Sequence, residues 1–491
     1  MLYFKRKFYK RVALKRLLFA MGMGLCANAL ADEPQFNPTA QFDVPEIGSG
    51  VGIIDQQKEK IIGEQVYRQI QRQMPVVHNA WLEDQLFSVF SQILSQTQLQ
   101  KPIGLLVIKD NQINAFAVPG GVFALNSGLI TSARSMDEVV GVMSHEIAHV
   151  TQRHFSRSQE AFKGQGLLAL AGIVIGAIVA SQSDGNAGAA LMLGTQAALL
   201  DKQLNYSRNQ EREADRIGMQ YMYAAGYNPE GMADFFELMH RSSSQVSFFP
   251  DFWLTHPLTT ERMSEARLRA NQLPKVKSRA NKEDFEILKQ YTAVLSNQAN
   301  ETQLKTLASR GSFAGQIALA AWYQQTGDYV AAQKAINDAK AQNKNHNLLL
   351  LIQADIYLSQ NKFTEAKAAI ESTATIIPEN RALNLKLAEI LVRQGNISQA
   401  QNILQRFVKK DPRDVTAWSL MQQAANLDKE NPMRTVNVLR YRAEVQYWSG
   451  YDEDAIKSLL HAERLAKDNS SMSETVKKRL SDMQKERQFK I

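Results

Sequence analysis

Apolar side chains recur at helical spacing from about Asp55 to Gln73, and Pro75 interrupts the pattern. A second amphipathic helix is predicted from about Asn79 to Leu94. The period then shortens. Ile103–Lys109, Ala115–Val118 and Val122–Asn126 read as strands, the last two split by Pro119-Gly120-Gly121. Ser135-Met136-Asp137-Glu138 has the form of a capping box and opens a helix from Met136 to about Arg153. Residues 164–200 are strongly apolar: Leu167–Ala180 holds no charge, 181–186 breaks the run, and Ala187–Leu200 resumes it. Each half is too short to cross a bilayer as a helix. Two readings stay open for this segment. It is a buried helical hairpin, or an apolar flap over a site, able to touch a membrane surface or unfolded chain.

The C-terminal half carries an internal repeat of 34 residues. Ala320, Ala354 and Ala388 keep that spacing, as do Tyr323, Tyr357 and Leu391. Tyr329, Phe363 and Ile397 follow it, and so do Ala332, Ala366 and Ala400, while Pro378 and Pro412 close two units. A fourth copy around Ala443, Gly450 and Ala455 lies 55 residues past the third, which is 34 plus an insertion of 21. Small residues at these places let paired helices approach, with aromatics filling the gap. The pattern resembles tetratricopeptide repeats, whose units must stack and so build a curved superhelix with a concave binding face.

Composition narrows the class. Of 491 residues, 44% are hydrophobic and 22% charged, which excludes a mostly disordered chain, a collagen-like fibre and a multi-span membrane protein. The net charge of +8 points toward nucleic acid until its location is considered. Lys5, Arg6, Lys7, Lys10, Arg11, Lys15 and Arg16 precede the apolar run Leu17–Leu25 and the small-residue site Ala29-Leu30-Ala31. Residues 1–31 therefore read as a cleavable export signal. Without them 50 basic residues face 49 acidic ones, so no nucleic-acid partner is expected. The single cysteine, Cys26, sits inside the signal and leaves the mature chain without a disulfide. Leu25 before it argues against lipidation, and the run is shorter than the roughly 20 residues of a membrane anchor. These features together predict a periplasmic protein.

The candidate chemistry lies in His145-Glu146-Ile147-Ala148-His149. Residues four apart share a helical face, so both imidazoles address one point, as a catalytic zinc requires of two of its three protein ligands. Glu146 projects beside them, where it can take a proton from an activated water and deliver it to a leaving amine. Such a short pattern needs support, and Glu211-Arg212-Glu213-Ala214-Asp215 gives it. Glu211 can complete a two-histidine, one-glutamate site, and Asp215, on the same face, can accept from the free ring nitrogen of a ligand histidine. Glu213 points elsewhere. His78, His154, His240, His346 and His461 lack partners at metal spacing and read as structural.

His145-Glu146-x-x-His149 with Glu211-x-x-Ala214-Asp215 resembles the M48 family of zinc metallopeptidases. Asn114-Ala115-Phe116-Ala117, leading to Pro119-Gly120-Gly121, is similar to that family's strand motif, and Ser207-Arg208 and Gly218 match too. The resemblance spans about residues 55–270. It implies an endopeptidase with one Zn2+ per subunit on His145, His149 and Glu211, Glu146 as general base and Asp215 in a supporting catalytic role. By the same resemblance His256, in Thr255-His256-Pro257, fills the fourth zinc position at rest and acts as a latch; the plainer reading is an exposed loop histidine. The strand is either an edge that pairs with extended substrate or one arm of an ordinary core hairpin.

The expected fold is mostly α. An α+β, gluzincin-like metallopeptidase domain (55–270) follows the signal and an extended leader (32–54). Linker helices (271–310) lead to an all-α tetratricopeptide superhelix (311–491). With a signal in front and repeats behind, the resemblance implies quality control of outer-membrane proteins. Its substrates would be unfolded or misassembled outer-membrane proteins, chiefly stalled β-barrel precursors. Its repeats would engage the β-barrel assembly machinery, and 164–200 would supply any peripheral membrane contact. The competing function is a chaperone or adaptor that docks on that machinery, with proteolysis secondary. An integral-membrane protease of the same family is excluded because no segment is long enough to span.

Overall fold

The computed structural model describes residues 56–99, 102–161, 197–243, 256–342 and 346–488. The residues read as an export signal and leader, and the apolar segment up to residue 196, fall outside them. Helices α1 (Gln56–Gln73) and α2 (Ala80–Leu94) begin within a residue of the predicted positions. Asn79 starts α2 by accepting from the amide of Leu82 at 3.0 Å. The sheet holds β1 (Gly104–Ile108), β2 (Ala115–Val118) and β3 (Val122–Asn126) in the order β1-β3-β2. β3 is central and fully buried, parallel to β1 and antiparallel to β2, with Phe116 opposite Ala124 and Ala117 opposite Phe123. Among the described residues β2 is therefore a sheet edge.

A short α3 (Ser127–Ser132) leads to α4 (Met136–Thr151), which is buried from Val139 through Ala148. A helix covered on all sides in this way belongs to the centre of a domain. Half of the predicted capping box forms: the Ser135 hydroxyl accepts from the Glu138 amide at 3.3 Å. The Glu138 carboxylate passes over Ser135 and accepts from the Arg134 amide at 2.7 Å. Around α4 pack α5 (His154–Ala161), α6 (Ala197–Ala224) and α7 (Glu230–Ser243), and α8 (Thr260–Gln272) lies against α6 and α7.

After α9 (Lys282–Leu295) and α10 (Glu301–Ser309) the chain is a series of helix pairs. The first members are α11 (Phe313–Thr326), α13 (Asn347–Ser359) and α15 (Arg381–Arg393); the second are α12 (Tyr329–Lys340), α14 (Phe363–Ile376) and α16 (Ile397–Lys410). The six repeated alanines are wholly buried, as close helix approach demands. The turn within each pair needs a left-handed residue at one repeated place: Gly327 (φ 85°), Asn361 (φ 56°) and Gly395 (φ 79°). The insertion read from sequence before the fourth copy is itself a helix, α17 (Val415–Leu427), which starts 34 residues after α15. The first-helix series thus runs one unit further than the alanine pattern shows. Helices α18 (Arg434–Trp448), α19 (Asp452–Leu465) and α20 (Ser470–Gln488) finish the described chain. No helix among the described residues is long and apolar enough to cross a membrane.

The last helices share a core with the beginning of the chain. Ile62, Val66 and Ile70 of α1 pack in one cluster with Leu439, Trp448 and Leu459. Each such side chain contributes about 1.5–3 kcal/mol on burial. Tyr67 meets Trp448 edge to face at 6.5 Å. A second bridge is polar: Arg381 at the start of α15 donates to Glu83 of α2 at 2.8 Å and bidentately to Asp414, and the Ala382 amide reaches Asp84 at 3.2 Å.

Candidate metal centre

Helix α4 presents His145 and His149 one turn apart, and α6 runs alongside it. Ala214 is fully buried, and a Cβ added at Gly218 would lie 2.9 Å from the His145 amide nitrogen and the Ser144 carbonyl. These two small residues let the helix backbones approach until Glu211, one turn earlier on α6, reaches both histidines. His256 enters from the segment before α8. It is 8% exposed, so the exposed-loop reading of His256 is wrong.

Four side chains converge: His145, His149, Glu211 and His256 offer donor atoms that all lie within 4.8 Å of one another. Nε2 of His145 is 3.0 Å from Nε2 of His149 and 3.3 Å from Nδ1 of His256. Glu211 oxygens stand 3.4 Å from each of the first two nitrogens and 3.1 Å from Nδ1 of His256. Two donors each about 2.0–2.1 Å from a tetrahedral centre are about 3.3 Å apart, so these edges have the size of a zinc tetrahedron. Nitrogen and carboxylate donors of this kind suit a borderline divalent cation.

The surroundings favour positive charge at this point. Asp215 lies 2.9 Å from Nδ1 of His145, which leaves Nε2 free to face the cluster. Burial opposes protonation of His145, yet hydrogen bonds to Asp215 and Glu211 push its pKa up to about 10. Burial, reinforced by the neighbouring His145 and His256, drives His149 down to about 3 against the opposing pull of Glu211. Glu211 would be raised by burial, but His256 and His149 hold it well below the usual carboxylate range. Arg262 balances the two ionised carboxylates from one side, and the nitrogen and oxygen donors converging on the other side suit a divalent cation. Glu146 behaves differently. Burial raises its pKa, His256, His145 and a hydrogen bond from the Ala117 backbone in β2 partly offset this, and its Oε1 lies 3.5 Å from Nε2 of His256.

Every residue singled out from sequence for this site thus lies in one place, with His145, His149, Glu211 and His256 as the donor set and Glu146 and Asp215 against it. Two features were missed. Arg262 is buried on α8, donates to both Asp215 oxygens at 2.7 and 2.8 Å, and contacts Glu211 at 3.0 Å. It also donates to the Pro257 carbonyl at 2.8 Å and so ties the His256 segment to the cluster. No metal-ligand spacing marks such an arginine. The second is His154, read as structural, whose Nδ1 lies 2.9 Å from Nδ1 of His149. Its faint signal is the fifth position after a candidate ligand.

The sequence model of peptidase family M48 matches residues 78–270, and a tetratricopeptide repeat model matches residues 357–424. The chain is 29% identical over 466 residues to the beta-barrel assembly-enhancing protease of Escherichia coli (strain K12), covering 92% of each chain. It is 30% identical over 398 residues to the protein of the same name from Yersinia pestis, covering 78% of this chain and 81% of that one. Metalloprotease LoiP of Escherichia coli (strain K12) is 30% identical over 171 residues, 34% of this chain and 63% of that one.

Proposed function

Because the chain belongs to peptidase family M48 and is a metalloprotease, we propose that it is a zinc-dependent endopeptidase of the periplasm that degrades misfolded or stalled outer-membrane β-barrel precursors and assists their assembly. One observation carries the chemistry: three histidine nitrogens and a carboxylate at tetrahedral spacing, with a buried glutamate beside them. The ligands are His145, His149 and Glu211, with His256 as the resting fourth. When bound, zinc would lower the pKa of a water and polarise the scissile carbonyl.

The chain's own residues do the rest. Glu146 accepts the proton released as water adds to the carbonyl carbon, then gives it to the amine nitrogen as the C–N bond breaks. Its raised pKa brings it nearer the working pH of such a base. Edge strand β2, whose Ala117 backbone touches Glu146, receives an extended substrate backbone as an added strand. That mode of binding tolerates many side chains and suits unfolded segments. Asp215, held by Arg262, keeps His145 in the tautomer with Nε2 available. His256 must leave before substrate and water can enter. Assembly support is proposed to act through the repeats docking on the β-barrel assembly machinery, as the name of the relatives suggests.

The test is zinc content measured with casein cleavage. Wild type should hold one zinc per chain, and Glu146→Gln should keep the metal while losing about 10²–10⁴-fold in cleavage rate. His256→Ala should keep zinc and cleave faster than wild type. Zinc-free wild type would refute the metal assignment. An unchanged or slower His256→Ala enzyme would refute the latch. Assembly support that survives Glu146→Gln belongs to docking and not to proteolysis.

A further inference from the structure

His149 and His145 are oriented by different means. Nδ1 of His145 meets a carboxylate directly, Asp215 at 2.9 Å. Nδ1 of His149 meets another imidazole, Nδ1 of His154 at 2.9 Å, and Nε2 of His154 continues to Oε2 of Glu213 at 3.2 Å. Arg157 secures that carboxylate from the far side, Nη1 to Oε2 at 2.9 Å. His154 is 3% exposed.

The hydrogen-bond polarity of this chain is fixed by its ends. A carboxylate can only accept, so Nε2 of His154 carries a proton and Nδ1 of neutral His154 is an acceptor. Nδ1 of His149 must then donate, which leaves the lone pair on Nε2 of His149, the nitrogen that faces His145 and Glu211. The backbone is bent to make this contact. Arg153, between α4 and α5, adopts φ 53°, a left-handed conformation uncommon for a non-glycine residue, and the reversal returns His154 to His149.

We infer that His154, anchored by Glu213, is the positioning residue that sets the tautomer and ring orientation of His149 for metal binding. This rests on the reading of His149 as a zinc ligand. Glu213 thus serves the site although it points away from the four donors.

The experiment is zinc affinity of the purified full chain by competition with a chromophoric chelator, paired with thermal unfolding of each metal-stripped protein. His154→Phe removes the acceptor and should weaken zinc about 10–100-fold, the usual effect of losing a ligand's orienting partner. His154→Asn places an oxygen near the position of Nδ1 and should recover most of that loss. Glu213→Gln keeps His154 but weakens its anchor and should fall between. The metal-free unfolding temperatures should match wild type. Wild-type affinity in His154→Phe, or in Glu213→Gln should the phenylalanine variant not fold, overturns the inference. Equal loss in His154→Phe and His154→Asn with lowered metal-free unfolding temperatures assigns His154 to the fold and overturns it too. Wild type that takes up no zinc overturns the parent reading together with this one.

Discussion

Arg262 is 3% exposed and serves Asp215, Glu211 and the Pro257 carbonyl at once. Removing one partner of a buried ion pair strands the other, at a cost of about 3–5 kcal/mol. Arg262→Met should therefore lower the unfolding temperature strongly, and it should loosen the His256 segment because the bond to Pro257 goes with it. Thermal unfolding checks the first effect. A variant as stable as wild type would mean that Asp215 and Glu211 are neutralised by other groups. At this scale the sequence showed the ligand candidates because four-residue spacing is imposed by the helix itself. Arg262 and His154 carry no such spacing to their partners.

Elements were the most legible level. β2 and β3 have the bounds read from their apolar runs and the Pro119-Gly120-Gly121 break, and α4 starts where its serine cap stands. The repeat shows why: each unit solves the same turn with one left-handed residue at positions 327, 361 and 395. An added Cβ at Gly395 meets nothing within 4 Å, so Gly395→Ala tests the backbone alone. It should cost about 1–2 kcal/mol, and Gly395→Asn, copying Asn361, should cost less. Equal stability of the alanine variant would show that the turn tolerates another conformation. The fourth unit read from sequence is the pair α18–α19, with Ala443 and Ala455 wholly buried and Gly450 (φ 81°) at the turn. The inserted helix α17 escaped notice because it has no alanine at the repeated position, where Gln422 stands, while its packing uses Ala417, Met421 and Ala424.

The whole molecule depends on contacts between distant parts of the chain. Gly450, in the turn from α18 to α19, is left-handed like Gly395, but its added Cβ would lie 2.3 Å from the Arg68 carbonyl of α1. Gly450→Ala should destabilise more than Gly395→Ala, and the excess measures the closure of the last helices on α1. Equal losses would mean that α1 yields freely. Asp84 supplies a pH signature of the other bridge. Burial pushes its pKa up to about 6, with Glu83 adding and Arg381 opposing. The folded state then binds more protons than the unfolded chain, so this contribution is full below about pH 4 and is lost as pH rises through 6. Asp84→Asn should gain stability relative to wild type between pH 4.5 and 7.5. The opposite trend in unfolding temperatures would show that the Arg381 pair outweighs burial.

By itself the sequence determined what is periodic and local. Helices and strands, the repeat and the pairing of ligands along single helices all follow from residues a few places apart, where backbone geometry converts spacing into direction. Tertiary structure decided what depends on meeting. It buried His256 against Glu211, set Arg262 and His154 behind the ligands, and joined α1 to the last helices. Those contacts link segments whose separation along the chain carries no geometric rule. They exist because small residues such as Gly218 let backbones close to the distance at which buried charges find partners.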